Sequence, residues 1–245
     1  SEGFEGFELY FQPIYNTDDD SLSGAEALIR WNSRKYGFIG PNTFIPLLED
    51  SALIIPLGRW IINTAAKACN RWITSIPDFV MHINLSFVQI VKSNIVKDVL
   101  ENIERYSAAN NHYVFEITET IEMDQIPAVQ NVFKEFVKNE FRFAIDDFGT
   151  GYSNYGYMRD RTFDIVKVDR SFVTDIDKLK DNYLMVSFII KMAHEMGLHV
   201  CIEGVETKEE LSCVKKLGAD YIQGYYYGKP VCLQDFEEQH LKRFV

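Results

Sequence analysis

Eight short apolar runs alternate with segments of helical period, and this alternation limits most strongly how the chain can fold. The runs cover residues 7–14, 22–30, 79–85, 113–117, 141–146, 163–168, 198–203 and 220–223. From the third onward each is a nearly continuous apolar stretch, as expected for strands buried on both faces. The intervening segments repeat apolar residues every three or four positions. Leu57, Trp60, Ile61, Thr64, Ala65, Ala68 and Trp72 form one such series, and Ile95, Val96, Val99, Leu100, Ile103 and Tyr106 a second. Ile126, Val129, Phe133, Phe136 and Val137 form a third, and Leu184, Phe188, Met192 and Met196 a fourth. Strands alternating with helices in one undivided domain point to the α/β class. Eight strands within 245 residues point to a (β/α)8 barrel of the TIM type. A doubly wound open sheet is the alternative, but no Gly-rich phosphate turn follows the first strand. The first two runs are joined by Asn16 to Leu22, a polar loop too short for a helix. That loop reads as a hairpin, so one of the two strands should run antiparallel to the rest. Its Asp18-Asp19-Asp20 run reads as a solvated turn.

Composition narrows the function classes. Hydrophobic residues make up 47% and charged residues 25%, close to globular averages, so a disordered or fibrous chain is excluded. Asp and Glu number 36 against 25 Lys and Arg, a net charge of -11. That balance argues against holding a nucleic-acid polymer on a broad basic surface. At first sight it also argues against a phosphate-rich substrate. Cys69, Cys201, Cys213 and Cys232 lie far apart with no CxxC pair, which is neither a zinc pattern nor a disulfide framework. Reduced thiols and a cytoplasmic location are the expectation. No signal peptide is legible, and the most apolar stretch, Ala52 to Ile62, is broken by Pro56, Gly58 and Arg59. The domain is therefore expected not to insert into a membrane itself, although a parent protein could be membrane-tethered.

The chemistry gathers where the later strands end. Asn84 closes the third run, and Glu116 lies in the fourth. Asp146 closes the fifth and is followed by Asp147. Lys167 lies in the sixth, Glu203 closes the seventh with Glu206 just beyond, and Gln223 closes the eighth. In a barrel such ends converge on one face, where active sites form. A lone buried carboxylate is costly or shifts its pKa upward. Several converging carboxylates are tolerable chiefly when cations neutralise them. Glu26, Asn84, Glu116, Asp146, Asp147 and Glu203 offer only oxygen donors, which select Mg2+, Mn2+ or Ca2+ over zinc. The adjacent pair Asp146-Asp147 suits two ions with one bridging acid, an arrangement used in phosphoryl transfer. Lys167 adds a cation that can orient an attacking water or stabilise phosphate charge. Any single one of these acids reads equally well as an exposed loop cap, but aligned strand ends together favour a metal-dependent hydrolase. The segment Asp147-Phe148-Gly149-Thr150-Gly151-Tyr152-Ser153 reads as a mobile lid or as a tight turn.

The chain resembles the EAL-domain family, bacterial phosphodiesterases that act on cyclic di-GMP. Glu26-Ala27-Leu28 is the name-giving triplet, but the specificity lies in an ordered set. That set includes Phe11-Gln12-Pro13-Ile14, Leu57-Gly58-Arg59-Trp60, Asn84-Leu85-Ser86 and Glu116-Ile117-Thr118-Glu119. It continues with Asp146-Asp147-Phe148-Gly149-Thr150-Gly151-Tyr152-Ser153, Lys167-Val168-Asp169, Glu203-Gly204-Val205-Glu206-Thr207 and Gln223-Gly224-Tyr225. The resemblance spans residues 7–240. It implies a single EAL phosphodiesterase domain over 1–245, with Ser1 set apart as a residue that cloning can leave. It also implies a modified barrel with an antiparallel first strand, in agreement with the hairpin.

The resemblance further implies roles. A first Mg2+ or Mn2+ would be held by Glu26, Asn84, Glu116 and Asp146, and a second by Asp146, Asp147 and Glu203. Lys167 would hold the catalytic water, Gln223 would support the site through water, and Glu119 would anchor the Gly-rich loop. Glu206 would lie beside metals and substrate, Arg30 would contact phosphate and Gln12 guanine. The implied reaction opens one 3′-5′ phosphodiester bond by a metal-activated water and gives linear pGpG. Ca2+ is expected to occupy the oxygen sites yet inhibit, because its coordination geometry is looser than that of Mg2+. A homodimer is the implied assembly. Departures from the family pattern include Asn154, Thr162, Glu210 and Cys201-Ile202, and none removes a ligand. A sensor that binds cyclic di-GMP without cleaving it is the competing class, as is a dimerisation module. An enolase-like lyase would need an unrelated carboxylate array. His82 and His199, both on strands, read as structural. Seven acids, Glu26, Glu116, Glu119, Asp146, Asp147, Glu203 and Glu206, fall in one pocket opposed only by Arg30 and Lys167. Two divalent ions would turn that repulsive pocket into an attractive one, so the acidic surplus predicts a phosphate substrate whose binding depends on metal.

Overall fold

All eight apolar runs form strands, and they close on themselves. The computed structural model describes residues 4–118, 127–150 and 162–241. The barrel strands are β1 (Phe7–Asn16), β2 (Leu22–Ser33), β4 (Val80–Asn84), β5 (Tyr113–Thr118), β6 (Arg142–Phe148), β7 (Ile165–Val168), β8 (His199–Glu203) and β9 (Tyr221–Gln223). Their order is β1-β9-β8-β7-β6-β5-β4-β2, and β2 pairs back onto β1. β1 is antiparallel to both of its barrel neighbours, β2 and β9, while β2 and β4 to β9 run parallel. The short polar loop after Asn16 is thus a hairpin turn, with Asp20 in the left-handed region at φ 55. Asp18, Asp19 and Asp20 are all exposed, as expected of a solvated turn, and Asp20 also accepts hydrogen bonds from Lys215 and Tyr227.

Two further strands lie outside the eight runs. β3 (Gly37–Ile39) pairs with the far end of β2, and β10 (Val231–Cys232) pairs with Tyr10 and Phe11 of β1. The helices are α1 (Pro41–Asp50), α2 (Ile54–Trp72), α3 (Phe87–Lys92), α4 (Ile95–Ile103), α5 (Pro127–Lys138), α6 (Lys180–Glu195), α7 (Lys208–Leu217) and α8 (Leu233–Phe236). α2 buries Leu57, Ile61, Ala65, Ala68 and Trp72, the stripe that its spacing predicts. α4 buries Ile95, Val99 and Ile103 but stops at Ile103, so Tyr106 lies beyond it. α6 requires a correction. Leu184 and Phe188 are more than half exposed, and the buried face is Val186, Ile189, Ile190 and Ala193. Seven of the eight residues from Tyr183 to Ile190 are apolar, so period alone cannot choose the face that meets the sheet. α3 and α7 begin in capping boxes, Ser86 with Gln89 and Thr207 with Glu210, which satisfy otherwise orphaned N–H groups. Among the described residues no helix is long and apolar enough to cross a membrane.

Packing separates two apolar regions. Outward-facing residues such as Met81, Ile83, Phe115, Phe143, Val166, Val200 and Ile202 meet the helices in one large core. Trp72 anchors a corner of it, edge-on to Phe11 and Phe79 and stacked on Phe236, with its indole N–H donating to Glu237. Inward-facing Ile14, Val114, Ala144, Ile165 and Cys201 form a smaller cluster that plugs the barrel lumen. All four cysteines are free thiols. Barrel closure brings β2 so near β4 that a Cβ added at Gly24 would lie 2.2 Å from the Val80 carbonyl oxygen. Backbone cannot yield there as a flexible side chain could. Gly24→Ala is therefore expected to cost about 1–3 kcal/mol of unfolding free energy by urea titration. Unchanged stability would mean that the two strands do not approach this closely.

Candidate active site

Alternation along each strand sorts side chains between the lumen and the helical shell. Gln12, Glu26, His82, Asn84, Glu116, Asp146, Lys167, Glu203 and Gln223 share the inward parity, above the apolar plug. Register aligns them across strands: Gln12 opposite Glu26, Glu26 opposite His82, Asn84 opposite Glu116 and Glu203 opposite Gln223. All seven later barrel strands and the reversed first strand thereby supply one polar layer.

Lys167 lies at its centre and is 0% exposed. Its Nζ is 2.7 Å from Glu116 Oε2, 2.8 Å from Glu203 Oε1, 3.2 Å from Asp146 Oδ1 and 3.3 Å from Glu26 Oε2. Burial alone would favour the neutral amine. Asp146, Glu116, Glu203 and Glu26 outweigh it and hold the ammonium well above the usual lysine range.

One ammonium cannot neutralise four acids, so the carboxyls diverge. Burial pushes Glu116 well above the carboxylate range, and the charge of Glu26 adds to that push. Burial pushes Glu203 up to about 8 against the pull of Lys167. Glu26 is equally buried, yet Lys167 and hydrogen bonds from Gln223 and Asn84 hold it down at about 2. Gln223 Nε2 donates to Glu26 Oε2 at 2.6 Å, and Asn84 Nδ2 donates to Oε1 at 2.7 Å. Asp147 is raised by partial burial and by its neighbours Asp146 and Asp169.

Strict alternation would send Asp146 and Asp147 to opposite faces. The structure avoids this with an irregularity: the β6–β7 register shifts between Ile145 and Phe148, and Asp147 takes a left-handed φ of 53. A bulge of this kind redirects a side chain. Asp146, Asp147 and Glu203 consequently each present an oxygen within 4.8 Å of one another. Asp146 Oδ1 is buried with no hydrogen-bond partner among the described residues, its polar contact being the ion pair with Lys167. An all-oxygen set with surplus negative charge and an unsatisfied donor atom fits a hard divalent cation. Beside it opens a cavity of about 660 Å³ lined by Glu26, Arg30, Pro41, Ile45, Asn84, Asp146 and Asp147, among others.

The remaining expected site residues are dispersed around this layer. Gln12 is buried, donating to the Gly228 carbonyl at 3.3 Å and accepting from Gln223 at 3.2 Å. Arg30 is half-buried at the cavity, over the Tyr10 ring at 5.8 Å, with its guanidinium donating to the Ile29 carbonyl. Glu206 is exposed just beyond the end of β8, 4.0 Å from Arg170. Its backbone N–H is held by Glu210, whose carboxylate also accepts from Asp175 and Thr207. Glu119 and residues 151–153 of the Gly-rich segment lie outside the described residues. Within the described part, Gly149 has φ 97, and a Cβ there would meet the Phe172 ring at 2.7 Å.

His82 belongs to the site although its sequence context suggested only packing. Its Nδ1 lies 2.7 Å from Glu116 Oε1, and burial together with Lys167 lowers its pKa to about 3, so the ring is neutral. The signal for it was parity, two residues before Asn84 on the same strand. His199 instead joins His194 and Asp220 at the opposite end of the barrel.

Comparison with known proteins bears on this arrangement. A family profile described as EAL domain matches residues 4–230. The chain is 32% identical over 228 residues to the cyclic di-GMP phosphodiesterase PdeL of Escherichia coli K12, covering 92% of this chain and 62% of that protein. It superposes on the EAL enzyme Bd1971, in its cAMP- and cyclic-di-GMP-bound form, with a TM-score of 0.90 at 36% identity, over 96% of this chain and 64% of the other. The PaMucR phosphodiesterase in complex with c-di-GMP gives a TM-score of 0.88 at 29% identity, over 94% of each chain. The chain spans about a third of the length of several curated relatives that it matches.

The divergent carboxyls give a measurable consequence. Burial raises Glu116 above the ordinary carboxylate range and Glu203 to about 8, and each must be ionised to serve as an oxygen donor. Calorimetry of Mg2+ binding in buffers of different ionisation enthalpy should therefore show proton release at about pH 7. The release should shrink above about pH 9, where Glu203 is already ionised, and Glu203→Gln should reduce it at neutral pH. Release that stays constant across that range contradicts the assignment.

Proposed function

The chain belongs to the EAL-domain family, and on that premise we propose that it hydrolyses cyclic di-GMP, opening one 3′-5′ phosphodiester bond to give linear pGpG with the help of divalent cations. The observation that carries the reading is the buried array of four carboxylates around Lys167, beside a cavity bordered by Arg30. Glu26, Asn84, Glu116 and Asp146 would hold one Mg2+ or Mn2+, and Asp146, Asp147 and Glu203 a second. When bound, such ions supply positive charge for the phosphodiester and for the nucleophile attacking it.

The chain's own residues do the rest. Lys167 is fixed by its acids, so an ammonium proton has a defined direction and can hold an attacking water in line with phosphorus. Gln223 keeps Glu26 oriented through its Nε2, and its buried Oε1, without a protein partner among the described residues, can accept from water. Arg30 stands at the cavity wall, where it would meet a phosphate oxygen, and Gln12 would contact guanine. Glu206 would lie beside the metals and substrate. Glu119 keeps its proposed role as anchor of the Gly-rich loop. The apolar plug beneath closes the far end of the lumen, so water and substrate reach the acids from the mouth.

The reading includes a homodimer, which sedimentation equilibrium tests; a monomer at assay concentration removes that part. The activity is tested with purified protein, cyclic di-GMP and Mg2+ or Mn2+, with product separated by chromatography. pGpG should appear only with metal, and Ca2+ should bind yet suppress turnover. Glu26→Ala and Lys167→Ala should each abolish product. Tight binding of cyclic di-GMP without pGpG would replace the enzyme reading with that of a sensor.

A further inference from the structure

His82 is buried in the lumen one layer below Asn84, and nothing in the motif set assigns it a task. Cross-strand pairing puts it beside Glu26 on one side and Val114 on the other. Its ring is 4% exposed, and the carboxylate it touches, that of Glu116, is 1% exposed. The two oxygens of Glu116 are divided between two partners: Oε1 lies 2.7 Å from His82 Nδ1 and Oε2 lies 2.7 Å from Lys167 Nζ. A carboxylate gripped at both oxygens cannot rotate about its terminal bond. Glu26 is treated the same way, with Asn84 on one oxygen and Gln223 on the other. His82 therefore gives Glu116 what Asn84 and Gln223 give Glu26, a neutral partner in addition to the ammonium.

We propose that His82 is a positioning residue that donates its Nδ1–H to Glu116 Oε1 and so aims the remaining lone pairs of Glu116 at a divalent cation. The inference rests on the metal-dependent reading given above. Its logic is that Glu116 is ionised when it ligates a cation and then only accepts hydrogen bonds, so with metal bound the proton between them sits on Nδ1. That fixes the tautomer, with Nε2 as the unprotonated nitrogen. Hydrogen bonds to a ligating carboxylate from outside the coordination sphere typically matter to metal affinity by about 10–100-fold.

Asparagine offers the natural control, because its side-chain Nδ2 occupies the same bonded position as histidine Nδ1. Mn2+ affinity of the whole chain is measured by calorimetry for the wild type, His82→Leu and His82→Asn, with circular dichroism confirming that each is folded. His82→Leu should weaken Mn2+ binding by about 10-fold or more, and His82→Asn should recover most of it. Equal affinity in the wild type and His82→Leu overturns the inference, as does equal loss in folded Leu and Asn variants. A wild type that binds no Mn2+ overturns the metal reading together with this inference, whereas the other two results overturn the inference alone. Nitrogen-15 spectra of histidine-labelled wild type loaded with Mg2+ give a second readout that needs no variant. A His82 proton on Nδ1 is expected, and a proton on Nε2 with Nδ1 bare overturns the proposal.

Discussion

The ammonium of Lys167 is the contact on which the polar layer depends. It is fully enclosed and reaches carboxylates contributed by β2, β5, β6 and β8 while itself standing on β7. Removing a charge from water is costly unless it is paired and hydrogen-bonded, and here the pairing is drawn from across the whole sheet. No local segment could supply it. The barrel is the device that brings five strands to one point, and the apolar plug beneath gives that point its low-dielectric floor. The remaining charge is unbalanced, which raises Glu116 and Glu203 above the ordinary carboxylate range. An array built this way is primed to exchange protons for cations.

Orientation within the array comes from uncharged groups. Asn84 and Gln223 grip Glu26, and His82 grips Glu116, so rotation is limited without adding further charge to the lumen. Asp146 and Asp147 are arranged by backbone instead, through the bulge that breaks the β6–β7 register. The acids thus differ in how they are held. Two are fixed by side-chain donors, and two are set by an irregular strand whose end leads directly into Gly149.

Much of this was legible in the residues, and the failures have physical causes. Continuous apolar runs identify strands covered on both faces, and the short polar loop after Asn16 shows which strand reverses. Polar residues closing apolar runs identified the lumen layer, because water cannot reach those positions from the shell. β3 and β10 were missed because three and two residues carry no burial pattern of their own. The face of α6 was missed because Leu184, Val186, Phe188, Ile189 and Ile190 leave no polar side to mark. α3 and α7 are marked by Ser86-x-x-Gln89 and Thr207-x-x-Glu210, yet Ser86 and Thr207 also belong to the motif set, and the motif hid the cap. The convergence of Asp147 with Asp146 could not be inferred from a period of two, since a bulge leaves no trace in hydrophobicity. His82 was hidden because a histidine among apolar neighbours looks like packing until its partner on the next strand is known.

The reversed first strand has a consequence for attachment. In a barrel of eight parallel strands the polypeptide arrives at the end away from the reactive groups. Here Phe7 pairs with Trp31, beyond Glu26 toward the mouth, and β1 then descends past the acids to Asn16, opposite Tyr221. Val231 and Cys232 return alongside Tyr10 and Phe11 near the same rim. A strand rises about 3.4 Å per residue, so Phe7 stands roughly 17 Å along β1 from Gln12. Any polypeptide joined ahead of Phe7 is tethered to the doorway of the cavity and not to its sealed base. Torsion or steric crowding at that joint would be felt where a ligand must pass.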